Sequence, residues 1–176
     1  MDFRLALVSL SILLSQQIIA QRDNGAVRLG YGLASFSVES VTTGAVYAEF
    51  SKPFTGPVVL AFGGSYASTT QMDDASNSKD LQTFSIRLNA YFQAFKNDWQ
   101  AINIGAGASG RFFSEDWILD PNRILPSSSF KPGFLLILGY DFFINEQWMI
   151  GLTGSGEFFG NDNSVFLIGA NAGYRF

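Results

Sequence analysis

The chain predicts an all-β fold, an antiparallel, up-and-down barrel of eight strands that crosses a membrane. Three observations lead there. Hydrophobic residues make up 47% of the sequence and charged residues only 15%, against roughly 25% charged in ordinary soluble domains. That apolar content is dispersed, because nothing beyond residue 20 approaches the ~20-residue apolar run of a membrane helix. Instead, apolar residues alternate with small or polar ones at period two in eight segments, and the connections between segments alternate between short and long.

Residues 1–20 predict a secretory signal peptide. One Arg stands within Met1–Arg4, Leu5–Leu14 is apolar apart from serines, and Ile18-Ile19-Ala20 places a small residue before a cut at Gln21. The exported domain is then 21–176. The chain has no Cys, which excludes disulfides, thiol chemistry and a lipid-modified Cys at the cleavage site.

The eight strands follow in order. The first, 26–38, sets Val27, Leu29, Tyr31 and Leu33 against Arg28, Gly30, Gly32 and Ala34; the second, 45–52, sets Val46, Ala48 and Phe50 against Tyr47, Glu49 and Ser51. The third, 57–67, opposes Val58, Leu60 and Phe62 to Ala61, Gly63 and Ser65. In the fourth, 82–95, Phe84, Ile86, Leu88 and Phe92 oppose Ser85, Arg87, Asn89 and Tyr91. The fifth, 99–112, sets Ile102, Ile104 and Phe112 against Asn103, Gly105 and Arg111. The sixth, 132–143, sets Phe134, Leu136, Leu138 and Tyr140 against Leu135, Ile137, Gly139 and Asp141, a second face more apolar than the pattern wants. The seventh, 148–158, sets Trp148, Ile150 and Leu152 against Met149, Thr153 and Glu157. In the last, 165–176, Phe166, Ile168, Ala170, Ala172, Tyr174 and Phe176 oppose Asn171, Gly173 and Arg175, with Val165 and Leu167 as apolar exceptions.

Three connections are tight: 52–57, 95–98 and 144–147, each holding turn-forming residues. The others, 39–44, 68–81, 113–131 and 159–164, are generally longer. An even strand number puts both chain ends on the short-turn side. The lumen of an eight-stranded barrel is just wide enough to be filled by side chains, so the Gly-, Ala- and Ser-rich face with its few charges belongs inside. The bulky Phe, Leu and Ile face then meets lipid. Trp99, Trp148, Phe54, Tyr174 and Phe176 fall at the short-turn ends, and Tyr66, Phe112, Phe113 and Phe158 at the long-loop ends, as two interfacial girdles.

This pattern, ending in Tyr174-Arg175-Phe176, resembles the small eight-stranded outer-membrane barrel family of OmpA and OmpX type over essentially all of 21–176. The resemblance implies an outer-membrane location in a Gram-negative envelope, with membrane lipids and lipopolysaccharide as surroundings. It also implies that the terminal strand, with Tyr174 and Phe176, is read as an assembly signal by the barrel-insertion machinery.

The inward face carries Arg28, Arg87, Arg111 and Arg175 with Glu49, Asp141 and Glu157. Charges in a narrow, low-dielectric lumen are costly unless paired, so these residues predict a plug of ion pairs, with a gated ion path as the competing reading. Barrel enzymes comparable in size rely on a catalytic His, and this chain has none. The adjacent acids Asp73-Asp74 and Glu115-Asp116 read as loop residues, so no enzyme and no cofactor is expected. The segment 72–80 offers oxygen ligands but lacks the order of an EF-hand and its closing Glu, so it reads as a polar loop rather than a metal site. A net charge of −4 without a basic cluster excludes nucleic acid as a partner. On the long-loop side Glu39, Asp73, Asp74, Asp80, Glu115, Asp116, Asp120 and Asp162 outnumber Lys79, Arg123 and Lys131. The segment 113–131 adds Trp117, Ile118, Leu119, Ile124 and Leu125, either a partner contact or packing across the barrel mouth. A filled lumen without catalytic residues favours a structural, adhesive or interaction role. A narrow channel or a carrier of small solutes or small hydrophobic molecules is the alternative.

Overall fold

The computed structural model describes residues 25–37, 40–72, 78–120, 123–160 and 163–176. The predicted signal peptide, Val38 and the loop acids Glu39, Asp73, Asp74 and Asp162 lie outside the described residues, as do the side chains of Trp117, Ile118, Leu119, Ile124 and Leu125. Eight strands follow in order: β1 (Ala26–Phe36), β2 (Val41–Thr55), β3 (Val58–Met72), β4 (Ser78–Lys96), β5 (Gln100–Asp120), β6 (Arg123–Phe143), β7 (Trp148–Phe158) and β8 (Ser164–Arg175). Each pairs antiparallel with its neighbour in sequence, and β8 returns to β1 to close the barrel.

The stagger of that closure is readable from the register. Stepping across the ladder from Ala26 passes Ser51, Ala61, Asn89, Gly107, Leu135, Glu157 and Val165 and arrives at Phe36, ten residues further along β1. Such a stagger tilts the strands by roughly 35–45° and leaves a lumen that side chains can fill.

Period two decides which side chain goes where. Leu29, Leu88 and Ile168 stand 64%, 62% and 68% exposed on the outer face, while Ala34, Ser85 and Leu167 on the alternate face are buried. The outer face is a continuous apolar belt, and the predicted orientation of the two faces holds. Tight turns join the strands at the lower end. Gly56 takes a φ of +54°, a left-handed conformation that glycine adopts without strain. At the turn before β5, Asn97 Oδ1 accepts from Trp99 N and Gln100 N, each at 2.9 Å. At that before β7, Asn145 Oδ1 accepts from Gln147 N at 2.8 Å and Trp148 N at 2.7 Å.

The upper end departs from the sequence reading. Most of 68–81 and 113–131, read there as loops, continues as strand: β3 runs to Met72, β4 begins at Ser78, and only 121–122 separate β5 from β6. Among the described residues, β6 pairs with β7 only from Phe134 downward, and β3 with β2 only from Ala67 downward. Above those points β3, β4, β5 and β6 continue as a four-stranded wall on one side of the rim. Above the apolar belt no face has to be apolar, so the alternation fades while backbone pairing continues through Ser- and Thr-rich stretches. Phe113 is a second correction. It lies 3% exposed inside the barrel, not in the outer girdle, because it occupies the lumen parity of β5 with Arg111.

Candidate functional site: the filled lumen

The lumen is built in layers. At the short-turn end Ala26, Ala101, Phe143 and Met149 form an apolar floor. Arg175 lies at this end with its guanidinium 4.7 Å from the Phe143 ring centroid. The sequence grouped it with the lumen charges, but among the described residues it enters none of the ion pairs.

Above the floor sits the lower ion-pair group. Arg28 Nη1 donates to Glu49 Oε1 at 2.9 Å and to Ser51 Oγ at 2.9 Å, and Arg28 Nη2 donates to Asp141 Oδ2 at 2.8 Å. The carboxylates have further donors: Asn103 Nδ2 reaches Asp141 Oδ2 at 2.8 Å, and the Tyr91 hydroxyl donates to Glu49 Oε2. β1, β2, β4, β5 and β6 each contribute one side chain or more, so only the closed barrel assembles this group. Glycine makes room for the aromatic donor, since a Cβ on Gly105 would stand 2.7 Å from the Tyr91 ring.

A second apolar layer, Val59, Ala61, Tyr91, Leu135 and Ile137, packs in the middle. Beside it Asn171 Nδ2 donates to Thr153 Oγ1 at 3.0 Å and to the Tyr47 hydroxyl at 3.4 Å.

The upper group follows. Arg87 Nε donates to Glu157 Oε1 at 2.8 Å; Arg111 Nη2 donates to the same oxygen at 2.7 Å, and Arg111 Nε to Oε2 at 3.2 Å. Thr83 Oγ1 accepts from Arg111 Nη1 at 3.0 Å, and Ser65 Oγ accepts from Arg87 at 3.2 Å and Arg111 at 3.3 Å. Glu157 and Arg111 are both fully removed from solvent. A roof closes the stack: Phe36, Leu81, Phe113, Val165 and Leu167 cluster with Ala34, Ala45, Ala67 and Tyr47, and Phe159 packs against them.

Six of the seven charges assigned to the lumen are therefore brought together, in two groups of three. The apolar floor, middle layer and roof were missed. Their signal lay in the positions that broke alternation on the polar face, Leu135, Ile137, Val165 and Leu167. In the closing strand, Tyr174 faces outward with its ring 5.2 Å from that of Trp148, and Phe176 N donates to Gly25 O at 3.0 Å across the β8–β1 seam. In the segment that offered cation ligands, Asp80 Oδ1 accepts from Thr70 Oγ1 at 2.7 Å. Lys79 pairs with Glu115 at 3.1 Å, and no cluster of metal-ligating side chains occurs among the described residues.

No protein-family model and no curated protein matches the chain. Solved structures do. Ail, the attachment invasion locus protein of Yersinia pestis, in complex with the heparin analogue sucrose octasulfate, superposes with a TM-score of 0.66 at 13% identity, covering 88% of this chain and 99% of Ail. Neisserial surface protein A gives 0.68 at 13% identity over 87% and 96% of the two chains. A major outer membrane protein of Thermus thermophilus gives 0.66 at 14% over 89% and 100%. At such identities the likeness is one of fold: this chain has the fold of the small eight-stranded outer-membrane barrels.

Proposed function

We propose that the protein is a non-enzymatic outer-membrane barrel whose work is done by the wall of β3–β6 above the rim, as an adhesive or interaction surface. In this reading residues 1–20 are the export signal, and the insertion machinery reads the strand ending at Tyr174 and Phe176. Lipid and lipopolysaccharide surround the belt. The supporting observation is the combination of a lumen filled from floor to roof with a projecting sheet that has a free edge. Fold alone assigns no activity, so the argument rests on these features.

The edge can be described residue by residue. Phe143 N donates to Trp99 O on the β5 side, and Ile144 N to Trp148 O on the β7 side. Alternation along β6 therefore turns its even-numbered backbone groups toward β7, and above Phe134 β7 is no longer there. Pro126 and Pro132 stand on that free edge and have no N–H to give. Between them, the N–H groups of Ser128 and Phe130 have no strand partner among the described residues. Proline at both ends blunts indiscriminate edge-to-edge pairing, and the short gap between admits a partner strand only in a narrow register. The long-loop side is acidic in sequence, which favours a protein partner over a polyanion such as the sucrose octasulfate bound by Ail.

The test separates the wall from the lumen. A variant in which 114–128 are replaced by a two-residue Asn-Gly turn should keep its heat-modifiable gel mobility. Proteoliposomes carrying it should lose attachment to cell- or matrix-coated surfaces relative to the full protein. Steady single-channel currents from the full protein, with attachment unchanged by the deletion, would overturn this reading in favour of the channel.

A further inference from the structure

The upper ion-pair group is out of charge balance. Arg87 and Arg111 share one carboxylate, Glu157, which leaves one positive charge in excess where Arg111 and Glu157 are fully buried. Arginine does not give up its proton in proteins, so the excess cannot be relieved by titration. The lower group, with the opposite imbalance, lies beyond the layer of Tyr91, Leu135 and Ile137, and acts on Arg87 across that layer rather than in contact.

A second observation falls at the same level. Ser109 stands directly opposite Arg87 in the β4–β5 ladder. Asn89 is two residues along β4 from Arg87, and Ser155 two residues along β7 from Glu157, so all three share the lumen face with the charges. Their exposures are 3% for Asn89 and 7% for each serine. Yet neither serine Oγ makes a hydrogen bond among the described residues, whereas the Asn89 amide lies against the Tyr91 hydroxyl of the lower group. Buried polar groups are ordinarily satisfied, and two hydroxyls are left over on the lumen face that carries the excess guanidinium charge.

We propose that Arg87, Ser109 and Ser155 form a lumen site for one small monovalent anion of halide size. Such an ion restores neutrality to the upper group and accepts from the spare donors. Sulfate or phosphate is disfavoured, since a divalent charge would overshoot the balance. The carbonyl oxygen of Asn171, also without a partner among the described residues, calls for water rather than for the ion itself. Because floor and roof close the lumen, the ion enters as the barrel folds.

The experiment is refolding of the purified full chain from denaturant into detergent, in sodium chloride, bromide or gluconate at equal ionic strength. Melting temperature and bromide anomalous diffraction are the readouts. The wild type should melt higher in either halide than in gluconate and show an anomalous peak beside Arg87. Arg87→Gln leaves Arg111 and Glu157 as a balanced pair, and should lose both the halide dependence and the peak. Should that variant not fold, Ser109→Ala with Ser155→Ala, which alters no charge, should fold and show a smaller halide shift. Equal melting in all three salts, a halide effect undiminished in the variant that folds, or bromide found outside the lumen would overturn the proposal.

Discussion

The lower ion-pair group spreads one guanidinium over two carboxylates and keeps a trace of solvent, with the side chains of Arg28 and Glu49 13% and 14% exposed. The upper group gathers two guanidiniums on Glu157, whose side chain has no exposure. The difference is one of redundancy. Each acid of the lower group has a second donor, Tyr91 for Glu49 and Asn103 for Asp141. In the upper group everything converges on a single carboxylate. Stacking charges in a lumen is therefore not one device but two, and the two should fail differently.

The largest effect is expected from Glu157→Gln. It leaves Arg87 and Arg111 side by side with no anion, only a neutral amide oxygen and hydroxyls as acceptors, and breaking a buried pair in this way costs about 3–5 kcal/mol. The melting temperature followed by heat-modifiable mobility should fall steeply. A loss below about 1 kcal/mol, the range of an exposed pair, would show that water enters the upper group and would erase the contrast.

Arg28→Gln should rank second, at about 2–3 kcal/mol, below the dry-pair range because the site is not fully sealed. It leaves Glu49 and Asp141 without their shared cation, though each keeps a second donor, Tyr91 or Asn103. The guanidiniums left by Glu157→Gln keep only neutral acceptors. A melting deficit for Arg28→Gln equal to or larger than that of Glu157→Gln would contradict the distinction. Glu49→Gln comes third, at about 1 kcal/mol, since Arg28 keeps Asp141 and the new amide can still accept from Tyr91. A deficit equal to that of Glu157→Gln would show the lower group to be no more redundant than the upper.

The sequence made the belt legible and the rim illegible for one physical reason. Along the belt, each strand is apolar outward and small or polar inward, so Leu29, Ile86 or Ile168 reports its face by parity alone. Above it, Ser127-Ser128-Ser129 or Ser68-Thr69-Thr70 can pair without any such pattern, and a reader of alternation takes them for loop. The charges were placed in the lumen by parity too, but which ones meet depends on the ten-residue stagger, and that is set by the register of all eight ladders together. Arg28 joins Asp141, 113 positions away, and Arg87 joins Glu157, 70 away, through no local signal. The apolar layers had a faint signature in Leu135, Ile137 and Leu167, residues of the wrong polarity for their face that fill what would otherwise be a hole.

Arg175 shows what parity without register mistakes. It shares the inward face with the lumen charges, yet it sits past the floor, over the ring of Phe143 and beyond both ion-pair groups. A cation above an aromatic face contributes about 0.5–1 kcal/mol where water still reaches it. Arg175→Gln should therefore cost no more than that, the smallest effect of the series, and should add to the deficit of Arg28→Gln in the double variant, because the two residues share no partner. The check is a double-mutant cycle on melting free energies. A coupling above about 0.5 kcal/mol would place Arg175 within the lower group and dissolve the separation between a lumen that holds paired charges and a floor that excludes them.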